Sequence, residues 1–159
     1  MTLITNKIDY QKLSRTSLNG KRVYQCPDGS AVASVTTILD STKDKTHLIE
    51  WRKRVGEQNA VRITKEASGI GTRMHKYIED YIANGKWNEP GSNPYAQQAF
   101  KMAQVVHENA LKDVNEIWGS EVGLYFPKIY AGTTDCVGEY KGEPCIIDFK
   151  QTNKPKKKE

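Results

Sequence analysis

The sequence predicts an α+β fold, with helices packed on a small, mainly antiparallel sheet. Two observations carry this prediction. Between residues 46 and 117 apolar side chains recur at three- and four-residue steps, the period of a helix. From Glu121 to Phe149, β-branched and aromatic residues gather instead in short segments separated by turn-formers. A hairpin pattern near the N-terminus adds a third. At 159 residues the chain suffices for one domain with a modest core and is too short for two comfortable ones.

Between Ile8 and Leu39, Arg22-Val23-Tyr24-Gln25-Cys26 and Ser30-Ala31-Val32 flank Pro27-Asp28-Gly29, whose residues suit a tight turn. From Thr46 to Ala67, Leu48, Trp51 and Val55 fall at helical spacing. Arg52, Lys53, Arg54, Arg62 and Lys65 fill the rest, the pattern of a solvated basic helix. Ser68-Gly69-Ile70-Gly71-Thr72 interrupts it. A second helix is expected beyond, with Met74, Tyr77, Ile78, Tyr81 and Ile82 on one face and Asn84-Gly85 as its stop.

After a polar loop through Pro90 to Pro94, a third helix is expected from Tyr95 to Asn115, with Phe100, Ala103, Val106, Ala110, Val114 and Ile117 along one side. Glu121–Phe126, Ile129–Tyr140 and Pro144–Phe149 then read as a three-stranded antiparallel meander, turning at Pro127-Lys128 and Lys141-Gly142-Glu143. The units are a hairpin lead-in over 1–45, a core over 46–152 and a lysine-rich tail over 153–159. No internal repeat is present.

Lys and Arg number 24 against 19 Asp and Glu, a net charge of +5. That excess fits a polyanionic partner, although many basic proteins bind no nucleic acid. No apolar run approaches the roughly 18 residues of a membrane span, and the first residues lack the apolar core of a secretory signal, so a cytoplasmic chain without a membrane partner is expected. Cys26, Cys136 and Cys145 form no CxxC or Cys/His pattern and read as reduced thiols.

Candidate chemistry centres on Asp135 and Asp148, with twelve residues between them and a turn that lets their strands pair. Two carboxylates meeting at one point, with water and phosphate completing the shell, suit a hard cation such as Mg²⁺ or Mn²⁺. Strand alternation puts Lys150 on the same face as Asp148. On spacing alone, however, Asp148 and Lys150 read first as a surface ion pair of little energetic consequence. Against that, Cys145-Ile146-Ile147 leads directly into Asp148 and would place the carboxylate at a buried strand end, where an unpaired charge is costly. His75 and Glu79 share one helix face. A lone histidine is more often a core or capping residue, and Glu79 and Glu121 are by default solvated charges. His47 and His107 offer no partner pattern.

Several blocks, in order, resemble the RecB-like branch of the PD-(D/E)xK nucleases, and within it the mitochondrial genome maintenance exonuclease group and its phage relatives. These are Ser34-Val35-Thr36-Thr37-Ile38-Leu39, then Gly71-Thr72-Arg73-Met74-His75-Lys76-Tyr77-Ile78-Glu79, then Gly132-Thr133-Thr134-Asp135, then Pro144-Cys145-Ile146-Ile147-Asp148-Phe149-Lys150-Gln151-Thr152. The resemblance implies a restriction-endonuclease-like core and a Mg²⁺- or Mn²⁺-dependent DNA nuclease, most simply an exonuclease working on free or single-stranded ends. An endonuclease on the same core is the more distant enzyme alternative. It implies Asp135 and Asp148 as metal ligands, His75 and the backbone carbonyl of Phe149 as further ones, Lys150 as the catalytic lysine and Glu121 as an acidic residue of the first core strand. Gln151 and Thr152 would lie near the scissile strand, and Arg73, Arg52 and Arg54 are candidate DNA contacts.

Thr134 stands where the superfamily name has proline. Relatives of this kind continue into a further helix and strand, so an incomplete core is expected, completed by a second polypeptide or a swapped copy. On this expectation the chain alone would be a DNA-binding or assembly half. The expected setting is a bacterial or phage-infected cell.

Overall fold

A computed structural model describes residues 1–152; the expected tail over 153–159 lies outside the described residues. The chain forms β1 (Thr2–Leu3), β2 (Ser14–Leu18), β3 (Lys21–Gln25), β4 (Ala31–Ser34), α1 (Val35–Thr42), α2 (Thr46–Val55), α3 (Glu57–Asn84) and α4 (Pro94–Asn109). A short 3₁₀ turn, Leu111–Asp113, leads to β5 (Val114–Phe126), β6 (Tyr130–Tyr140) and β7 (Glu143–Ile147). The α+β expectation holds: four helices pack on a curled, mainly antiparallel sheet.

The seven strands described run in the order β1-β5-β6-β4-β3-β2, with β7 also paired to β6. β5, β6 and β7 form the expected antiparallel meander. β1 joins β5 and β4 joins β6 in parallel, so strands from the first 45 residues belong to the same sheet as the meander. Both β4 and β7 pair with β6, β4 at Tyr130 and Ala131 and β7 from Cys136 to Tyr140. The interval between them contains Asp135.

The Pro-Asp-Gly turn joins β3 and β4 as expected, with Asp28 Oδ1 accepting from the Ser30 N–H at 2.9 Å. A second hairpin precedes it. Asn19 and Gly20 both have positive φ, 51° and 74°, which a two-residue turn matched to strand twist requires. Ser34 then caps α1, its hydroxyl accepting from the Thr37 N–H at 3.0 Å.

Three expected boundaries are corrected. The helix break falls at Gly56, with φ 82°, and α3 passes unbroken through Gly69 and Gly71. A glycine inside a helix costs about 1 kcal/mol, and burial of Ile70, Met74, Ile78 and Ile82 along one face of α3 outweighs it. α4 ends at Asn109, so Val114 and Ile117 belong to β5. Their exposures of only 2% and 0% explain why they mimicked a helix face. β7 ends at Ile147, which leaves Asp148 to Lys150 outside regular strand.

The main core lies between α3, α4 and the meander, where Met74, Ile78, Ala99, Ala103, Leu111, Val114, Ile117, Cys136 and Phe149 meet. A smaller cluster of Tyr24, Cys26, Val32 and Ala131 seals the hairpins onto β6.

Candidate metal centre

The core face of α3 brings His75 to the sheet. Gly71, four residues earlier, leaves room for the segment after β7, since a Cβ there would stand 3.0 Å from Gln151 Oε1. One turn on, the His75 ring meets Phe149 edge-on, with centroids 6.2 Å apart. His75 Nδ1 lies 3.1 Å from Asp135 Oδ1. The other carboxylate oxygen of Asp135 accepts the Phe149 backbone N–H at 2.5 Å. Asp135 is thus gripped from both α3 and the chain leaving β7.

Glu121 completes the cluster. Ser120 pairs with Cys136 and Val122 with Thr134, which sets Glu121 opposite Asp135 across β5 and β6. Its φ of 52° departs from strand geometry. Ligand atoms of His75, Glu121 and Asp135 all lie within 4.8 Å of one another. Two carboxylate oxygens and an imidazole nitrogen at this separation could hold one divalent cation, the carboxylates suiting Mg²⁺ or Mn²⁺ and the imidazole adding affinity for later transition metals.

The electrostatics follow from the contacts. The hydrogen bond with Asp135 raises the His75 imidazole above its ordinary value against the opposing effect of burial. Burial pushes the Asp135 carboxyl up, but the hydrogen bonds from His75 and the Phe149 N–H outweigh it and hold the group below the usual range. Glu121 is raised by burial and then by the charges of Asp135 and Glu79. Two carboxylates, Asp135 and Glu121, thus act on one imidazole, with the charge of Lys150 felt by both His75 and Asp135.

The remaining expected residues are distributed around this cluster. Cys136 pairs with Ile147, so extending the register by one residue sets Asp148 beside Asp135. Asp148 is nonetheless 49% exposed, and its Oδ1 accepts from Lys150 Nζ at 2.7 Å. Of the two readings offered by the sequence, the surface ion pair and the buried strand end, the structure has the exposed pair, because the strand stops at Ile147 and Phe149 turns inward in place of Asp148. For Phe149, the contact described is its N–H on Asp135. Glu79 lies near enough to act on Glu121 but makes its own ion pair with Lys76.

Lys150 and Gln151 border a cleft of about 820 Å³ with His75, Phe149, His47, Trp51, Thr64 and Ser68. His47, one turn before Trp51 on α2, is the residue that sequence reasoning passed over; its four-residue spacing from Trp51 was the available signal. Arg52 instead faces away, ion-paired with Glu57. Arg54 is exposed, and Arg73 is exposed with its guanidinium on the Gly69 carbonyl at 3.3 Å. Thr152 is exposed beyond Gln151. No helix among the described residues is long and apolar enough to cross a membrane.

Fold and cluster together define an α+β domain with a candidate divalent-cation site. No family model matches the chain. It is, however, similar to mitochondrial genome maintenance exonuclease 1 of Xenopus tropicalis, 31% identical over 137 residues covering 79% of this chain and 37% of that protein. The Homo sapiens protein of the same name is 29% identical over 135 residues, covering 80% of this chain and 38% of that protein. The chain thus spans less than two fifths of the length of these curated relatives. The similarity supports a nuclease relationship.

Proposed function

We propose that this chain forms the core of a metal-dependent deoxyribonuclease that acts on DNA ends or single strands. The observation that carries the reading is the meeting of His75, Glu121 and Asp135 from a helix and two strands, with Asp148 and Lys150 one step away. The exonuclease names of the similar proteins agree with it. Within the reading, His75, Glu121 and Asp135 hold Mg²⁺ or Mn²⁺, with Asp148 beside them.

The cation would supply positive charge to polarise a phosphodiester oxygen and to acidify water. The Phe149 N–H fixes the orientation of Asp135 through its second carboxylate oxygen. Lys150, paired with Asp148 beside the cluster, would steady negative charge developing on the phosphate or orient the attacking water. The cleft bounded by Trp51, His75 and Gln151 gives a strand a route to this point.

End-labelled single- and double-stranded DNA, incubated with the purified chain in Mg²⁺, Mn²⁺ or EDTA, tests the proposal. Shortening that requires the metal is expected; cleavage that persists in EDTA contradicts it. A second reading, in which the chain is one half of a core completed by another polypeptide or a swapped copy, is favoured by one feature. A groove of about 420 Å³ is lined by Val35, Leu124, Phe126, Tyr130 and Ile146, and Ile146 is 66% exposed. Folded, metal-binding protein that cleaves nothing alone would favour this second reading.

A further inference from the structure

Glu121 also borders a second cavity, of about 420 Å³, closed on its far side by the segment that leads into β2. Small-molecule sites occupy about 300–1,000 Å³. Tyr10, Lys12, Arg15, Tyr24 and Thr133 share its lining with Glu121. The segment is held against β5 by two glycines on either side of Glu121. A Cβ on Gly119 would come within 2.7 Å of the Tyr10 ring, and one on Gly123 within 2.9 Å of Leu13. This close approach sets residues 10–15 over the strand at the position where Glu121 departs from strand geometry.

The lining is charged and incompletely paired. Lys12 and Arg15 are exposed and form no ion pair among the described residues. The Tyr10 hydroxyl is buried without a hydrogen-bond partner among the described residues. On the opposite wall the hydroxyls of Tyr24 and Thr133 lie 3.1 Å apart. Two cations and the Tyr24 and Thr133 hydroxyls on a lining shared with one carboxylate suit a phosphate once the charge of Glu121 is neutralised.

We propose that this cavity is a phosphate subsite that receives the terminal nucleotide of a nucleic-acid end, with its phosphate against Lys12 and Arg15. The inference rests on the reading that the His75, Glu121 and Asp135 cluster holds a divalent cation. Without that cation, Glu121 repels the phosphate, so occupancy depends on metal.

Calorimetric titration of the full chain, in Ca²⁺ or EDTA, tests this with deoxyadenosine monophosphate and with short single-stranded oligonucleotides carrying or lacking terminal phosphates. Both phosphate-terminated probes are expected to bind in Ca²⁺ and to lose binding in EDTA. The double variant Lys12→Ala/Arg15→Ala is expected to weaken them about tenfold or more. Undiminished affinity in that variant overturns the subsite. Equal binding of oligonucleotides with and without terminal phosphates overturns end recognition. Metal-dependent cleavage beside either negative result leaves the nuclease reading standing, whereas Lys12- and Arg15-dependent binding by a chain that cleaves nothing supports the subsite and counts against that reading.

Discussion

At the scale of single residues, Asp135 is the pivot, because it receives His75 from α3, the Phe149 N–H from beyond β7, and Glu121 across the β5–β6 pair. Lys150→Ala should lower cleavage about 10²–10³-fold, as expected for loss of one charge-stabilising group, with DNA binding retained. Rate and affinity measured on the same preparation check this, and wild-type cleavage by the variant would refute the role.

The pair also predicts a pH dependence for the metal-free chain. The raised imidazole contributes stability that is complete below its unfolded pKa of about 6.5 and is lost as pH rises through its folded value. The lowered Asp135 carboxyl contributes stability present above its unfolded pKa of about 3.9 and lost as pH falls through its folded value. Stability from the pair should therefore be greatest between about pH 3.9 and 6.5, the two unfolded values, and fall away on either side. His75→Gln should remove the decline on the alkaline side, read as Tm against pH in EDTA. Cys136 belongs to a different class, since burial pushes its thiol up to about 12 and should keep it inert to alkylation in the native state.

At the scale of elements, α3 supplies the imidazole and β5 and β6 supply the carboxylates, so the site depends on how tightly the helix packs. Ile78 is 1% exposed at the centre of that contact. Ile78→Ala should cost about 2–5 kcal/mol by denaturant unfolding, as large-to-small core changes do. The glycines of the meander matter for a different reason. A Cβ on Gly138 would collide with the Glu116 backbone carbonyl, at the place where β5 shifts register. Gly138→Ala must therefore move backbone.

The meander and the Pro-Asp-Gly hairpin were legible because period-two segments bounded by turn residues have few other readings. The unbroken α3 was not legible, since Gly69 and Gly71 are breakers by propensity and only the packing of Ile70 and Met74 keeps the helix intact. Val114 and Ile117 misled because buried residues of a bulged strand can fall at helical spacing. Asn19-Gly20 was a readable turn signal that went unused.

At the scale of the whole molecule, the chain draws one site from segments far apart in sequence, residues 75, 121 and 135 with 148–151 beside them. Asp135, Asp148, Lys150 and His75 stood out through ordered blocks resembling a nuclease family; spacing alone left Asp148 and Lys150 as a surface pair and His75 as a core residue. The approach of Glu121 to His75 depends on a register and a positive φ that no local pattern announces. If these segments share one cation, binding it should stabilise the fold as a unit. Added Mn²⁺ should raise Tm in proportion to the logarithm of its concentration above the dissociation constant, and EDTA should abolish the rise.

The most direct test of the central claim is a Mn²⁺ titration followed by electron paramagnetic resonance, comparing wild type with Asp135→Asn and His75→Gln. The account predicts bound Mn²⁺ whose spectrum carries a nitrogen coupling in the wild type, loss of the coupling in His75→Gln, and loss of the site in Asp135→Asn. Unaltered Mn²⁺ affinity in Asp135→Asn would contradict it.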